Sequence, residues 1–377
     1  MLGYYKKERI KMYLRRGLVL LSVYAVLFLT LFFVTPIERF LNGNLFFYAD
    51  SYAKAQCRVH FLDVGQGDCT FVELNNGGTT IMIDTGKKSA GKEILKYMSL
   101  VGYGRGSRID YLILTHTDSD HVGGAKTVME NFDVKSVFVP MIYSTFDVEN
   151  GFDSEDYYVD SSSLWAEVRK SIVENVGLEN IFYSFAGKSV LGMNFSLDFY
   201  APYNEKPCGE EVSSTNNYSP VLILNASGMS TMFVGDIDSE CESEFLDYYR
   251  AKVENGDLDV DVLKIAHHGS KNSSSKAFLD AVSPEYAVIS CGESNSYNHA
   301  NDDTINRLVE INADIFRTDI EGSIILTSGS TDTITAFCDF YRIGSAQFSW
   351  LGIVVTFVVV SFLIFVFSIR ISTEPQM

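Results

Sequence analysis

Apolar positions fall along this chain in runs of different length and period, and each kind predicts a different element. Two runs are long and free of charge: residues 17–34, about 18 positions, and residues 348–368, about 20, each near the length that crosses a hydrocarbon core. Lys6, Lys7, Arg9, Lys11, Arg15 and Arg16 precede the first run and only Arg39 follows at similar distance, which sets the N-terminus in the cytoplasm. Trp350 and Arg370 border the second run as interfacial residues do. Both termini are then cytoplasmic and the middle of the chain lies outside the membrane. An uncleaved anchor is expected, because the nearest small-x-small pattern, Ala53 to Ala55, is too far downstream for a signal peptidase site.

Between the two runs the pattern alternates short apolar strands with amphipathic stretches. The spacing predicts strands over 57–62, 70–74 and 79–83, the last two joined by a hairpin turn at 75–78. A helix follows over 90–101, a strand over 111–115, a helix over 125–131 and another over 163–176. Paired strands are expected within 188–200, and a hairpin from 221–225 with 231–234. Asp238 or Ser239 can cap a helix through 252. The remainder reads as a strand over 262–266, a helix from Ser275, a strand over 286–290, a helix from Asp303, a strand over 315–318 and a closing pair, 323–327 with 333–337. Residues 141–160 show no period and mix acids with aromatics, as a lid or a solvated insertion does. Strands in both halves with helices between them predict two stacked sheets covered by helices. The domain limits that follow are 1–35 for the basic start and anchor, 36–56 for a linker, 57–340 for the folded domain and 347–369 for the second span.

Composition alters this picture in two respects. The 377 residues carry a net charge of −18, which counts against a broad electrostatic grip on nucleic acid. The six cysteines contain no C-x-x-C pair, which excludes a zinc ribbon or a thioredoxin-type motif, and are expected mostly as small buried hydrophobes.

The chemistry concentrates where apolar strands stop. Residues 111–114 run into His116-Thr117-Asp118-Ser119-Asp120-His121-Val122-Gly123-Gly124, four ligand-type side chains within six positions. Imidazole and carboxylate are the donors that borderline and hard divalent cations take. Two further strands end at Asp236 and at His267-His268, so ligands from distant parts of the chain can gather at strand ends. Of the six histidines only His60 stands apart, and it reads as a satisfied core residue.

The histidine–aspartate run resembles the signature of metallo-β-lactamase fold hydrolases. Together with Asp63-Val64-Gly65-Gln66-Gly67-Asp68, Asn217-Tyr218-Ser219, Gly235-Asp236, Ala266-His267-His268-Gly269-Ser270 and Arg317-Thr318-Asp319, it is similar to the C-terminal hydrolase domain of ComEC-type competence proteins over about residues 57–340. The resemblance implies an α/β fold, a four-layer αββα sandwich, here flanked by the two transmembrane helices. It implies one or two divalent ions, zinc or manganese, and attack by a metal-bound hydroxide. Carried over by position, His116 and Asp118 sit on one ion, Asp120, His121 and His267 on the other, and Asp236 bridges. Asp120 and His299 take catalytic parts, His299 as general acid or phosphate contact. Asp63, Gln66, Asp68, Asp84, His268, Ser270 and Lys271 support the ligands or touch substrate.

Two departures from the family pattern shape the expectation. Many relatives have histidine where this chain has Asp118, which moves preference from zinc toward manganese or iron. No histidine lies between His121 and Asp236, so Asn217 stands in as an additional ligand. The function implied is a membrane-anchored, extracytoplasmic phosphodiesterase or nuclease with DNA as candidate substrate and no nucleotide cofactor. The alternatives are a hydrolase of a cell-wall phosphodiester or of a small ester or lactone, and a non-catalytic ligand-binding module.

Overall fold

Two β-sheets lie face to face in the computed structural model, which describes residues 52, 54–152, 158–203, 214–329 and 334–338. The apolar runs 17–34 and 348–368, most of the linker and Cys208 lie outside these residues. Among the described residues no helix is long and apolar enough to cross a membrane.

The first sheet has eight strands, in the spatial order Thr335–Cys338, Ile324–Ser328, Cys57–Phe61, Thr70–Leu74, Thr79–Ile83, Arg108–Ile113, Asp133–Val139 and Ile181–Tyr183. The second has seven: Asp314–Arg317, Tyr286–Ile289, Val262–Lys264, Met229–Phe233, Val221–Ala226, Phe195–Ala201 and Ser189–Gly192. Side chains alternate across each strand, so the central strands serve two cores. Val59, Phe61, Val72, Ile81, Ile83 and Ile113 face Leu197, Phe199, Leu222, Leu224 and Phe233 between the sheets.

The opposite faces carry the helices. Phe71, Met82, Leu112 and Val137 pack beneath Ile94, Met98, Val128, Trp165 and Ile172 from the helices Gly91–Leu100, Ala125–Asn131 and Ser163–Asn175. Met232, Leu263 and Ile289 pack beneath Cys241, Phe245, Phe278, Leu279 and Leu308 on the other side. The layers are therefore αββα, as the resemblance implied.

Cys57, Cys69 and Cys291 are buried thiols in these cores. His60 is buried too, as a core histidine with Nδ1 2.8 Å from Tyr97 Oη and Nε2 3.0 Å from Glu73 Oε1.

Residues 141–160 are more ordered than their composition suggests. Tyr143–Ser144 pairs with Val159–Asp160, and Thr145–Glu149 is a helix whose start Ser144 and Asp147 cap reciprocally. Asp147 also receives Nε and Nη2 of buried Arg169 at 2.8 to 3.1 Å.

Candidate metal centre

Strand ends from both sheets meet at one edge. Thr79–Ile83 delivers Asp84, Arg108–Ile113 delivers His116, Met229–Phe233 delivers Asp236, and Val262–Lys264 delivers His267 and His268. The loop after Cys57–Phe61 brings Asp68, whose N–H donates to Asp120 O at 3.1 Å. Gly67 makes that approach possible: its φ is +143°, and a Cβ there would collide with Asp120 O.

Asp68, His121, Asp236 and His268 form a buried group whose ligand atoms all lie within 4.8 Å of one another. Its centre is a triangle. His121 Nε2 and His268 Nε2 lie 3.2 and 3.4 Å from Asp236 Oδ2, and 3.3 Å from each other. A tetrahedron with arms of about 2 Å, the metal–nitrogen length of zinc, has edges of about 3.3 Å.

The protons of these rings are fixed from behind. His121 Nδ1 is 2.8 Å from Asp84 Oδ2, and His268 Nδ1 is 3.0 Å from Ser290 O and 3.1 Å from Asp68 Oδ1. Each neutral ring then keeps its one proton on Nδ1 and turns the lone pair of Nε2 toward Asp236. His116 is held the same way. Thr115 Oγ1 donates to Asp84 Oδ2 at 2.7 Å and so accepts from His116 Nδ1, 3.0 Å away. His116 Nε2 is buried 4.0 Å from Asp236 Oδ2 with no hydrogen-bond partner.

Three lone pairs and a carboxylate facing one another need a cation between them, so the donor set fits a divalent ion. Asp236 Oδ1 and Asn217 Oδ1 are likewise buried and without partners. The electrostatics favour positive charge at this centre, whether on the rings or on an ion between them. Burial raises the Asp236 carboxyl, but the His121 and His268 charges outweigh it and hold it well below the usual carboxylate range. Burial opposes charge on His121, but Asp236 and Asp84 overcome it and raise its pKa well above the ordinary value.

The remaining expected residues divide by position. Asp120 is half-buried, with Oδ2 3.7 Å from His268 Nε2. The resemblance gives His267 to an ion and His268 a supporting part, whereas in the structure His268 closes the triangle. His267 is one-third exposed, with Nε2 3.8 Å from Asp236 Oδ2. Both histidines have φ near +50°, a backbone kink that turns consecutive side chains toward one carboxylate.

Asp118 is exposed at the rim, where its Oδ1 accepts from Thr215 Oγ1 at 2.6 Å. Gln66 Oε1 accepts from Gly292 N at 3.1 Å and ties the loop to the second sheet. Asp63 lies apart, lining a cavity of about 390 Å³ with Leu62, Tyr97 and Ser323. Ser270 is buried, its Oγ accepting from Asn272 N, and Lys271 is exposed.

His299 stands over the mouth. Its ring is 5.6 Å from that of His267 and 6.2 Å from that of His268, and exposed Tyr297 stacks on it at 5.6 Å. Burial, then the charges of His268 and His267, lower its pKa to about 4. Tyr158, which is exposed, stacks on buried Tyr218, the neighbour of Asn217. Among the neighbours of the site with no place in the sequence reading are Thr115, Ser290 and buried Lys264, the last signalled by a lysine inside an otherwise apolar strand.

Residues 62–176 match the Metallo-beta-lactamase superfamily. The chain is 30% identical over 282 residues to the ComE operon protein 3 of Bacillus subtilis, covering 71% of this chain and 32% of that protein. It is 27% identical over 285 residues to the competence protein ComA of Neisseria gonorrhoeae, covering 75% of this chain and 34% of that protein. The chain thus spans about a third of the length of the curated relatives it matches. Among solved structures it is similar to the metallo-beta-lactamase fold protein YhfI from Bacillus subtilis, at 8% identity and a TM-score of 0.40, covering 74% of this chain and 99% of that one.

Proposed function

Since this chain carries a domain of the metallo-beta-lactamase superfamily and resembles ComEC-type competence proteins, we propose that it is a metal-dependent phosphodiesterase held outside a cell membrane. The observation that carries the reading is the convergence of His116, His121 and His268 Nε2 on Asp236. His121, His268 and Asp236, with Asp120 beside them, would hold one ion, and His116, Asp236 and Asn217 would hold a second. The chemistry supplied there would be acidification of water and neutralisation of phosphoryl charge.

The chain's own residues then position the substrate. Asp84, Thr115 and Ser290 keep the Nδ1 protons in place, so the rings neither rotate nor change tautomer. With a pKa lowered to about 4, His299 is neutral near pH 7 and serves as a hydrogen-bond partner of the phosphoryl or leaving oxygen, not as a cationic acid. Exposed Tyr297, beside His299, offers a flat face on which a base can stack, which favours a nucleic acid among phosphodiesters. With a net charge of −18, that grip is local to the site and its ions.

The test is a substrate panel on purified full-length protein with manganese or zinc: a bis-aryl phosphate, linear single-stranded DNA, a lactone and a cephalosporin. The reading expects cleavage of the first two, abolished in H121A. Cleavage of the lactone alone, or phosphodiester cleavage that survives H121A, overturns it. For the topology, protease added to intact cells should remove the domain 57–340, and full protection refutes the external placement.

A further inference from the structure

Lys264 ends the strand Val262–Lys264 and is 2% exposed. Its Nζ lies 2.7 Å from Asp68 Oδ2 and donates to Ile265 O at 3.0 Å. A buried ammonium is tolerated only where a counter-charge and hydrogen bonds replace its water. Asp68 supplies that charge, yet Asp68 also belongs to the buried group of four ligand-type side chains. One carboxylate thus faces two claims, as donor to a divalent ion and as partner of a lysine.

Its two oxygens show how the claims are divided. Oδ2 faces the ammonium, and Oδ1 lies 3.1 Å from His268 Nδ1, the nitrogen that points away from Asp236. A lysine brought directly against a divalent ion would be repelled, and the carboxylate between them screens that repulsion.

From this arrangement we infer that Lys264 keeps Asp68 off the metal and commits it to orienting His268. Lys264 and Asp68 are positioning residues: Ser290 O takes the His268 proton on Nδ1, Asp68 sets its charge beside that nitrogen at 3.1 Å, and Lys264 holds Asp68. The ion then meets two imidazoles with Asp236 and Asp120, a mixed nitrogen and oxygen set. Released from Lys264, Asp68 would add an oxygen donor and shift preference toward harder ions such as manganese. Lys264 is therefore a determinant of metal choice at a site it does not touch. The inference rests on the reading that this cluster binds a divalent ion.

Cobalt(II) tests it, because its visible d–d band reports coordination number apart from any activity. In purified full-length K264M the freed carboxylate should join the ion. The band should weaken and move as coordination rises, and affinity for manganese relative to cobalt should increase about tenfold or more. K264R should keep the wild-type band. D68N/K264M should return to the wild-type band with cobalt affinity lowered roughly 10- to 100-fold, the usual cost of losing a partner behind a ligand.

If K264M fails to fold, D68N alone decides. A band of unchanged coordination number supports the inference, and a band of lower coordination makes Asp68 a ligand and overturns it. A folded K264M with wild-type band and selectivity overturns it as well. Wild-type protein that binds no cobalt refutes the reading of the site itself, a result distinct from bound cobalt that ignores these substitutions.

Discussion

One atom of Asp84 controls two of the three lone pairs in the centre. Asp84 Oδ2 receives His121 Nδ1 at 2.8 Å and Thr115 Oγ1 at 2.7 Å, while Oδ1 receives Thr115 N at 2.8 Å. D84N leaves the shape almost unchanged but turns Oδ2 into an NH2 donor. His121 must then accept through Nδ1, and Thr115 must accept from Asn and donate to His116 Nδ1 instead. Both rings switch their protons to Nε2, where the ion binds. Turning the amide over avoids this only by setting two N–H groups against each other at Thr115. Each wrong tautomer forfeits an interaction with a charged partner worth about 1.5–3 kcal/mol, so the pair costs about 3–6 kcal/mol. That is roughly 10²- to 10⁴-fold in metal affinity. D84A leaves the rings free to choose and should lose only about 10- to 100-fold. Stability should rank the other way. D84A strands the buried Thr115 N–H, about 1–3 kcal/mol, and places alanine at φ +57°, a left-handed conformation that asparagine tolerates. Chelator competition and metal-free thermal melts on the same preparations read both quantities. D84N that binds zinc within threefold of wild type, or more tightly than D84A, refutes the tautomer argument.

Further expectations concern the scaffold. Burial raises the Glu242 carboxyl from about 4.5 to about 7, against the N–H groups of Ser274 and Ser275 and the charge of Arg307. Its folded value exceeds the unfolded one, so its contribution is full below about pH 4.5 and is lost as pH rises through about 7. E242Q should therefore gain stability relative to wild type between pH 5 and 8, by about 3 kcal/mol, and a flat difference across that range contradicts the assignment. D147A leaves buried Arg169 without its partner and should cost about 3–5 kcal/mol in thermal or denaturant unfolding, much of it recovered in D147A/R169M. A loss below about 1 kcal/mol would show the pair to be unimportant.

How much could be read in advance follows from how local each signal is. The hairpin Thr70–Leu74 with Thr79–Ile83, the helix Ala125–Asn131 and the isolation of His60 were legible, because their patterns are complete within a few residues. The strands Asp133–Val139 and Ile181–Tyr183 were not. The first carries Asp133, Lys135 and Ser136 among its apolar positions, and the second has three residues, too few to show a period. The clusters at the strand ends were plain as residue types. Their division of labour was not, because His267 and His268 differ only in how two left-handed backbone conformations turn them. Asp68 and Lys264 are far apart in sequence, and only the packing of the two sheets makes one the partner of the other.

The claim on which the rest depends is that Asp236 gathers His121 and His268 around a divalent ion. Anomalous diffraction at the zinc or manganese edge from crystals of the metal-loaded protein tests it most directly. The account predicts a peak about 2.0–2.2 Å from His121 Nε2, His268 Nε2 and Asp236 Oδ2. A peak held by His267 with His268 turned away, or no ordered ion at this edge of the sheets, contradicts it.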